Sequence, residues 1–151
     1  PEQAALLGGY LGALHGSLGN SDVAIGRLEP ALAALEARGL ERGVLFAGLA
    51  SALSGQLADA GRMREAADWS LRASDAWRAL GQRGDPGAPM HAAIAEGYAH
   101  YVLGEFEPAV AAYREALTLS TSFKGDTPVL ELRAEASYML GGTLKELGRH
   151  K

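Results

Sequence analysis

A glycine-led break recurs along this chain at Gly19 ("LGNSDVA"), Gly61 ("AGRMREA"), Gly104 ("LGEFEPA") and Gly148 ("LGRHK"), at separations of 42, 43 and 44 residues. Five residues after each of the first three glycines stands an alanine: Ala24, Ala66 and Ala109. Seven residues further on stands another: Ala31, Ala73 and Ala116. Seven residues before each break lies a small residue: Gly12, Ser54, Gly97 and Gly141. Registers this consistent mark an internal repeat, and a repeat restricts the fold to units that bury their apolar faces against one another.

Each unit reads as two helices, A then B. In "AEGYAHYVLGEFEPAVAAYREAL" (Ala95–Leu117), Phe106, Ala109, Val110, Tyr113, Ala116 and Leu117 form one apolar face at i, i+3, i+4, i+7 spacing. Pro108 falls in the first turn, where its missing N–H is harmless. Gly104 is placed to end the preceding helix in a left-handed turn. The same pattern predicts A and B helices over 3–18 and 21–37, 41–60 and 62–80, 89–103 and 106–122, and a last A helix over 128–147. "GQRGDPGAP" (Gly81–Pro89) and "FKGDT" read as loops from their Gly and Pro content. Alanine, leucine and glycine dominate and Val/Ile/Thr alternation is nearly absent, so the class is all-α. Pro30 lies inside the second predicted helix. It predicts a kink near Gly26–Pro30, or a helix that starts late.

The chemistry searches exclude more than they find. The net charge of −4 supplies no footprint for nucleic acid or for an anionic membrane. There is no cysteine, hence no disulfide and no thiolate site. No apolar run approaches the roughly 18 residues of a bilayer span, and no signal peptide is visible, so a cytoplasmic location is expected. No GxxxxGK[ST] stretch is present, and "GGYLGALHG" follows no strand as a dinucleotide fingerprint must. His15, His91, His100 and His150 include no HExxH pair, and no Ser/His/Asp set can be picked out. We therefore expect no enzyme activity, no cofactor and no metal. The chain opens on Pro1, and we expect it to be part of a longer protein.

The repeat resembles the tetratricopeptide repeat. "EGYAHYVLGEFEPAVAAYREALTL" matches the end of that family's helix A and all of its helix B, through Gly97, Gly104, Phe106, Ala109, Tyr113, Ala116 and Leu117. "YMLGGTLKELGRHK" matches its helix A through Leu140, Gly141, Leu147 and Gly148. The period exceeds the usual value of about 34 residues. In that it is similar to the kinesin light chain type, and to the solenoids of LuxR-type and maltose-activator-type bacterial regulators. The large residue usual near the start of helix A is replaced by Gly8, Ala50, Ala93 and Ser137. Glu96 and His100 occupy places that are normally apolar or aromatic.

The resemblance implies one solenoid domain over 1–151, a right-handed α–α superhelix of three helical hairpins plus one terminal helix. Its repeats fall at about 3–38, 41–81, 89–122 and a partial 128–151. It also implies a concave groove lined by A helices. Repeat 1 would supply Gly9, Ala13, Gly16 and Ser17; repeat 2 would supply Ser51, Gly55, Ala58 and Asp59. Repeat 3 would supply Ile94, Tyr98, Tyr101 and Val102; repeat 4 would supply Glu135, Tyr138, Gly142, Lys145 and Glu146. Tyr98, Tyr101 and Tyr138, with Ile94, Asp59 and Lys145, are then the candidate partner-binding residues for a protein or peptide ligand. The tyrosines can equally pack between neighbouring A helices. The Lys and Asn positions by which family members clamp acidic chaperone tails hold Gly9, Ala13, Ser51 and Gly55, which disfavours that ligand.

The function implied is a non-enzymatic interaction module that takes a peptide or a partner helix in its groove. The alternative is the regulatory or sensor arm of a larger bacterial signalling or transcription protein. Trp77 continues a core stripe with Ala66, Ser70 and Ala73, whereas Trp69 can lie between repeats or on the convex surface. The last A helix has no B helix to cover it, which raises the possibility of a homodimer through that end.

Overall fold

The computed structural model describes residues 18–123 and 127–149, together with Gln3 and Gly12. The predicted first helix, with Gly8, Gly9, Ala13, His15, Gly16 and Ser17, otherwise lies outside the described residues, as does His150. Six helices follow one another: α1 (Ser21–Glu36), α2 (Val44–Asp59), α3 (Met63–Gln82), α4 (Ala88–Val102), α5 (Phe106–Ser120) and α6 (Thr127–Arg149). There is no strand among the described residues. Each helix packs on the next in sequence, and α4 also touches α6. Neighbour-on-neighbour packing of this kind makes the chain an all-α helical solenoid.

The hairpin turns are built as their sequence requires. At the α2–α3 turn the Arg62 N–H donates to the Leu57 carbonyl at 2.8 Å and the Gly61 N–H to the Ala58 carbonyl at 2.9 Å. At the α4–α5 turn the Glu105 N–H donates to the His100 carbonyl at 2.9 Å and the Gly104 N–H to the Tyr101 carbonyl at 3.0 Å. Both patterns place the glycine at positive φ, 79° and 76°, where a Cβ would be strained. Gly148 departs from the expected pattern. It remains helical within α6, because nothing described packs beyond it to favour a turn over another helical hydrogen bond.

The late start allowed for the second predicted helix and the extent of the first predicted loop are corrected. α1 starts at Ser21, capped by the Asn20 side chain on the Val23 N–H at 3.4 Å, and runs unbroken through Pro30. Pro30 faces solvent while Leu28, Ala31, Leu32 and Leu35 hold the buried side. The loop read as Gly81–Pro89 shrinks to residues 83–87. Gly81 stays in the last turn of α3, where a Cβ would lie 3.3 Å from the Pro89 ring. The Asp85 carboxylate accepts from the N–H groups of Gly87 and Ala88, at 3.0 and 3.1 Å, and so starts α4 early.

The interior divides into two clusters that share α4. Ala88, Ala92 and Ala95 join the core of α1–α3, and Met90, Ala93 and Ile94 join the core of α5–α6. α4 is thus buried on both sides. Buried serines add polar links between the helices. Ser70 and Ser74, one turn apart on α3, donate to the Ala95 and Ala92 carbonyls of α4 at 2.7 and 2.9 Å. Ser54 donates to the Ala66 carbonyl at 2.7 Å, within the α2–α3 hairpin.

The small residues before the turns are close-approach points. A Cβ on Gly97 would lie 2.6 Å from Tyr113 Cε1, and one on Gly12 would lie 2.8 Å from Leu28 Cγ. Gly141, in the same register on α6, faces open space. On that side of α6, Leu130 and Tyr138 are 54 % and 81 % exposed, so the face that α4 covers with α5 is bare here among the described residues.

Candidate functional site

Helices α2, α4 and α6 line a groove of two adjoining cavities. The first, of about 450 Å³, has α2 on one side, where Ser51 lies between Gly48 and Gly55. Beyond the helix's own backbone, no atom of the described residues lies within 4 Å of where a Cβ on either glycine would be, so this side is smooth and open among the described residues. Ile94 and Tyr98 of α4 line it too, with Glu135 and Met139 of α6. Trp77 of α3 and His91 of α4 also line it, stacked with ring centroids 4.2 Å apart and planes 13° from parallel. The second cavity, of about 430 Å³, is lined by Asp59, Tyr98, Tyr101, Phe106 and Glu146 among others. Tyr98 belongs to both. It stacks on Tyr101 at 6.4 Å, and Tyr101 meets Phe106 at 6.0 Å, so an aromatic row runs along α4 onto α5.

The groove is desolvating. Burial pushes the Tyr98 hydroxyl above the ordinary phenol range, and the charge of Asp59 and the neighbouring Tyr101 add to the shift. Glu135 keeps an exposed surface, yet apolar surroundings raise its carboxyl above the ordinary carboxylate range. Burial holds the His91 imidazole below its ordinary value, partly opposed by Asp85. Tyr113, fully buried beneath Gly97, has its hydroxyl raised by burial first, and then by Tyr98, Tyr101 and Glu135. That hydroxyl has no hydrogen-bond partner among the described residues.

The His91 shift carries a pH prediction. Its folded pKa lies below the unfolded value, so the unfolded chain takes up the proton first as pH falls. The stabilisation is present above about pH 6.5 and is lost as pH drops toward the folded pKa. His91→Gln is therefore expected to show a smaller fall in Tm between pH 7 and pH 5 than the parent, measured by circular dichroism melts. An identical fall would show that His91 does not titrate out of step.

Four of the six candidate residues come together: Ile94 and Tyr98 in the first cavity, and Asp59 and Tyr101 with Tyr98 in the second. Tyr138 and Lys145 do not line either cavity and are exposed. They stand 44 residues after Ile94 and Tyr101. In α4 those positions pack toward α5, and α6 has no such helix beside it among the described residues. Sequence reasoning missed Trp77, His91 and Met139 as groove residues. The period could have found His91, which lies 44 residues before Glu135 and one A helix away.

Other flagged residues take structural roles. Trp69 is half-buried against Phe46, with the Arg72 guanidinium 4.2 Å over its ring, and Arg72 is also paired with Glu36. Glu96 pairs with Arg78 of α3, and His100 Nδ1 lies 2.6 Å from the Glu105 carboxylate across the turn. A larger depression of about 480 Å³, between Glu41, Arg42, Phe46, Arg72, Asp75 and Arg78, shares no lining residue with the groove. Two of its arginines are already engaged by Glu36, Asp75 and Glu96.

Among solved structures the chain is similar to BtubC (BKLC) from P. vanneervenii, with a TM-score of 0.78 and 19 % identity. The match covers 95 % of this chain and 56 % of that one, so the chain spans little more than half the length of its structural neighbour. At that identity the likeness establishes the fold, a helical-repeat solenoid. No family model matches the chain, and no curated protein does. No helix among the described residues is long and apolar enough to cross a membrane.

Proposed function

We propose that the chain is a non-enzymatic protein-interaction module that takes a peptide or a partner helix along the α2–α4–α6 groove. The observation that carries this reading is the placement of Tyr98. It lines two cavities, sharing the first with the small residues Gly48, Ser51 and Gly55 of α2, and a second aromatic ring stacks beside it. A tyrosine with an apolar body and a polar tip is an effective anchor for a ligand that must be held at several points. The absence of a Cβ at Gly48 and Gly55 leaves room for a backbone to approach α2. The helical-repeat fold is consistent with a scaffold role, and its A helices supply the groove.

The test is retention of partners from a lysate of the source cell by the parent chain and by Tyr98→Ala/Tyr101→Ala. Folding of the variant is checked by its melting curve. A protein held by the parent and lost by the folded variant is the expected result. Equal retention by both would exclude the groove as the binding face.

A further inference from the structure

The charge of the groove is one-sided. The charged side chains lining its two cavities are Glu135 in the first and Asp59 and Glu146 in the second, and no lysine or arginine lines either among the described residues. His91, the remaining titratable base there, is held toward its neutral form. Glu146 is engaged by Arg149 at 2.9 Å. Asp59 and Glu135 have no cationic partner among the described residues.

Two carboxylates without a cationic partner among the described residues therefore line separate cavities that share Tyr98. Tyr98 lines both cavities and Tyr101 the second, with their ring centroids 6.4 Å apart. Alternate side chains of an extended segment are roughly 6.6 Å apart, so successive same-side residues can address the two rings. Aromatic faces attract cations, most strongly where water is excluded, and carboxylates take guanidinium or ammonium groups in charge-assisted hydrogen bonds. An acidic segment would meet the opposite situation, with its charges set against Asp59, Glu135 and Glu146 and no lysine or arginine among the described lining residues to receive them.

We propose that the groove recognises an extended peptide segment bearing two basic residues, one directed to Glu135 in the first cavity and one to Asp59 in the second, with their stems lying over Tyr98 and Tyr101. This rests on the groove-binding reading above and specifies the chemistry of its partner. Desolvation of Glu135 fits the same arrangement, since an incoming cation restores what the carboxylate lost on leaving bulk water.

The experiment is selection of a random dodecapeptide display library on the immobilised chain, followed by fluorescence anisotropy with synthetic copies of the enriched peptides. Enriched peptides are expected to be basic, with arginine or lysine beside apolar residues. Their affinity should fall about 10-fold or more in Asp59→Asn/Glu135→Gln, and should weaken as salt rises. Folding of Asp59→Asn/Glu135→Gln is checked by its melting curve; Glu135→Gln itself removes a carboxylate whose raised pKa opposes folding at neutral pH. For a raised pKa the stabilisation is present below the unfolded value and lost as pH climbs through the folded one. The Tm of Glu135→Gln at pH 7 should therefore be no lower than the parent's. Enrichment of acidic or uncharged peptides, or affinity unchanged in Asp59→Asn/Glu135→Gln, overturns the charge assignment. If such peptides are still lost by Tyr98→Ala/Tyr101→Ala, the groove reading survives it. Peptides held equally by both variants, or a library that yields no binder, overturn the two together.

Discussion

Tyr113→Ala is expected to lower stability by about 3–5 kcal/mol, the range for truncating a large buried aromatic side chain. Tyr113 is 0 % exposed and joins the α4–α6 core with Met90, Ala109 and Ala116. Its ring fills the space that Gly97 leaves by lacking a Cβ, with Cε1 2.6 Å from where that atom would be. The partnership can be tested as a cycle. Gly97→Ala alone gains up to about 1 kcal/mol of helix propensity but forces an overlap of the kind that costs about 1–3 kcal/mol. With Tyr113 already reduced to alanine the overlap vanishes, so Gly97→Ala should then be neutral or stabilising. Urea titrations of the parent, both single variants and the double variant give the coupling. Additive losses would mean that the two residues do not share the space. Tyr113→Phe completes the set. Removing a buried hydroxyl that has no partner is expected to cost nothing, or to stabilise by about 1 kcal/mol.

The second large effect is expected at Trp77. It is 8 % exposed, belongs to the α1–α4 core, and stacks on His91. Trp77→Ala should cost about 3–5 kcal/mol, a large share of the roughly 5–15 kcal/mol that holds an ordinary domain together. The consequence extends beyond stability. Trp77 and His91 line both the first groove cavity and a smaller one of about 290 Å³ that reaches Phe123, Val129 and Leu132. Without the indole the two spaces merge and His91 loses the surface it lies on. The variant is therefore expected to melt early and also to abolish the His91 contribution to the pH dependence of Tm. Trp77→Phe, which keeps an aromatic face, should recover much of both. A Trp77→Ala chain with unchanged Tm would show that the indole is not packed between the helices.

The repeat made most of the helix map legible. α1, α3 and α5 begin within one residue of the pattern's expectation, because Asn20, Gly61 and Gly104 act locally and need no distant contact to fix the turn. Register alone singles out Ser54 and Gly97 as small residues before a turn. The spacing could not say which atom would approach them; that turned out to be the Ala66 carbonyl for one and the Tyr113 ring for the other. The groove was half legible for the same reason. Asp59, Ile94, Tyr98 and Tyr101 lie on A helices flanked on both sides, where position within the repeat decides which way a residue faces.

Tertiary structure decided the remainder. Tyr138 and Lys145 sit in matching registers, but α6 has no described helix beside the face that carries them, so the same positions become open surface. Gly148 stays helical because a turn gains nothing where no helix folds back. Trp77 and His91 enter the groove by stacking from different helices, and no periodicity within either helix encodes that meeting. The sequence by itself determined the all-α class and the hairpin period. Only packing brought Asp59 and Glu135 to cavities that share Tyr98, because the distance between residues 76 positions apart is set by how the helices stack, which no local pattern specifies.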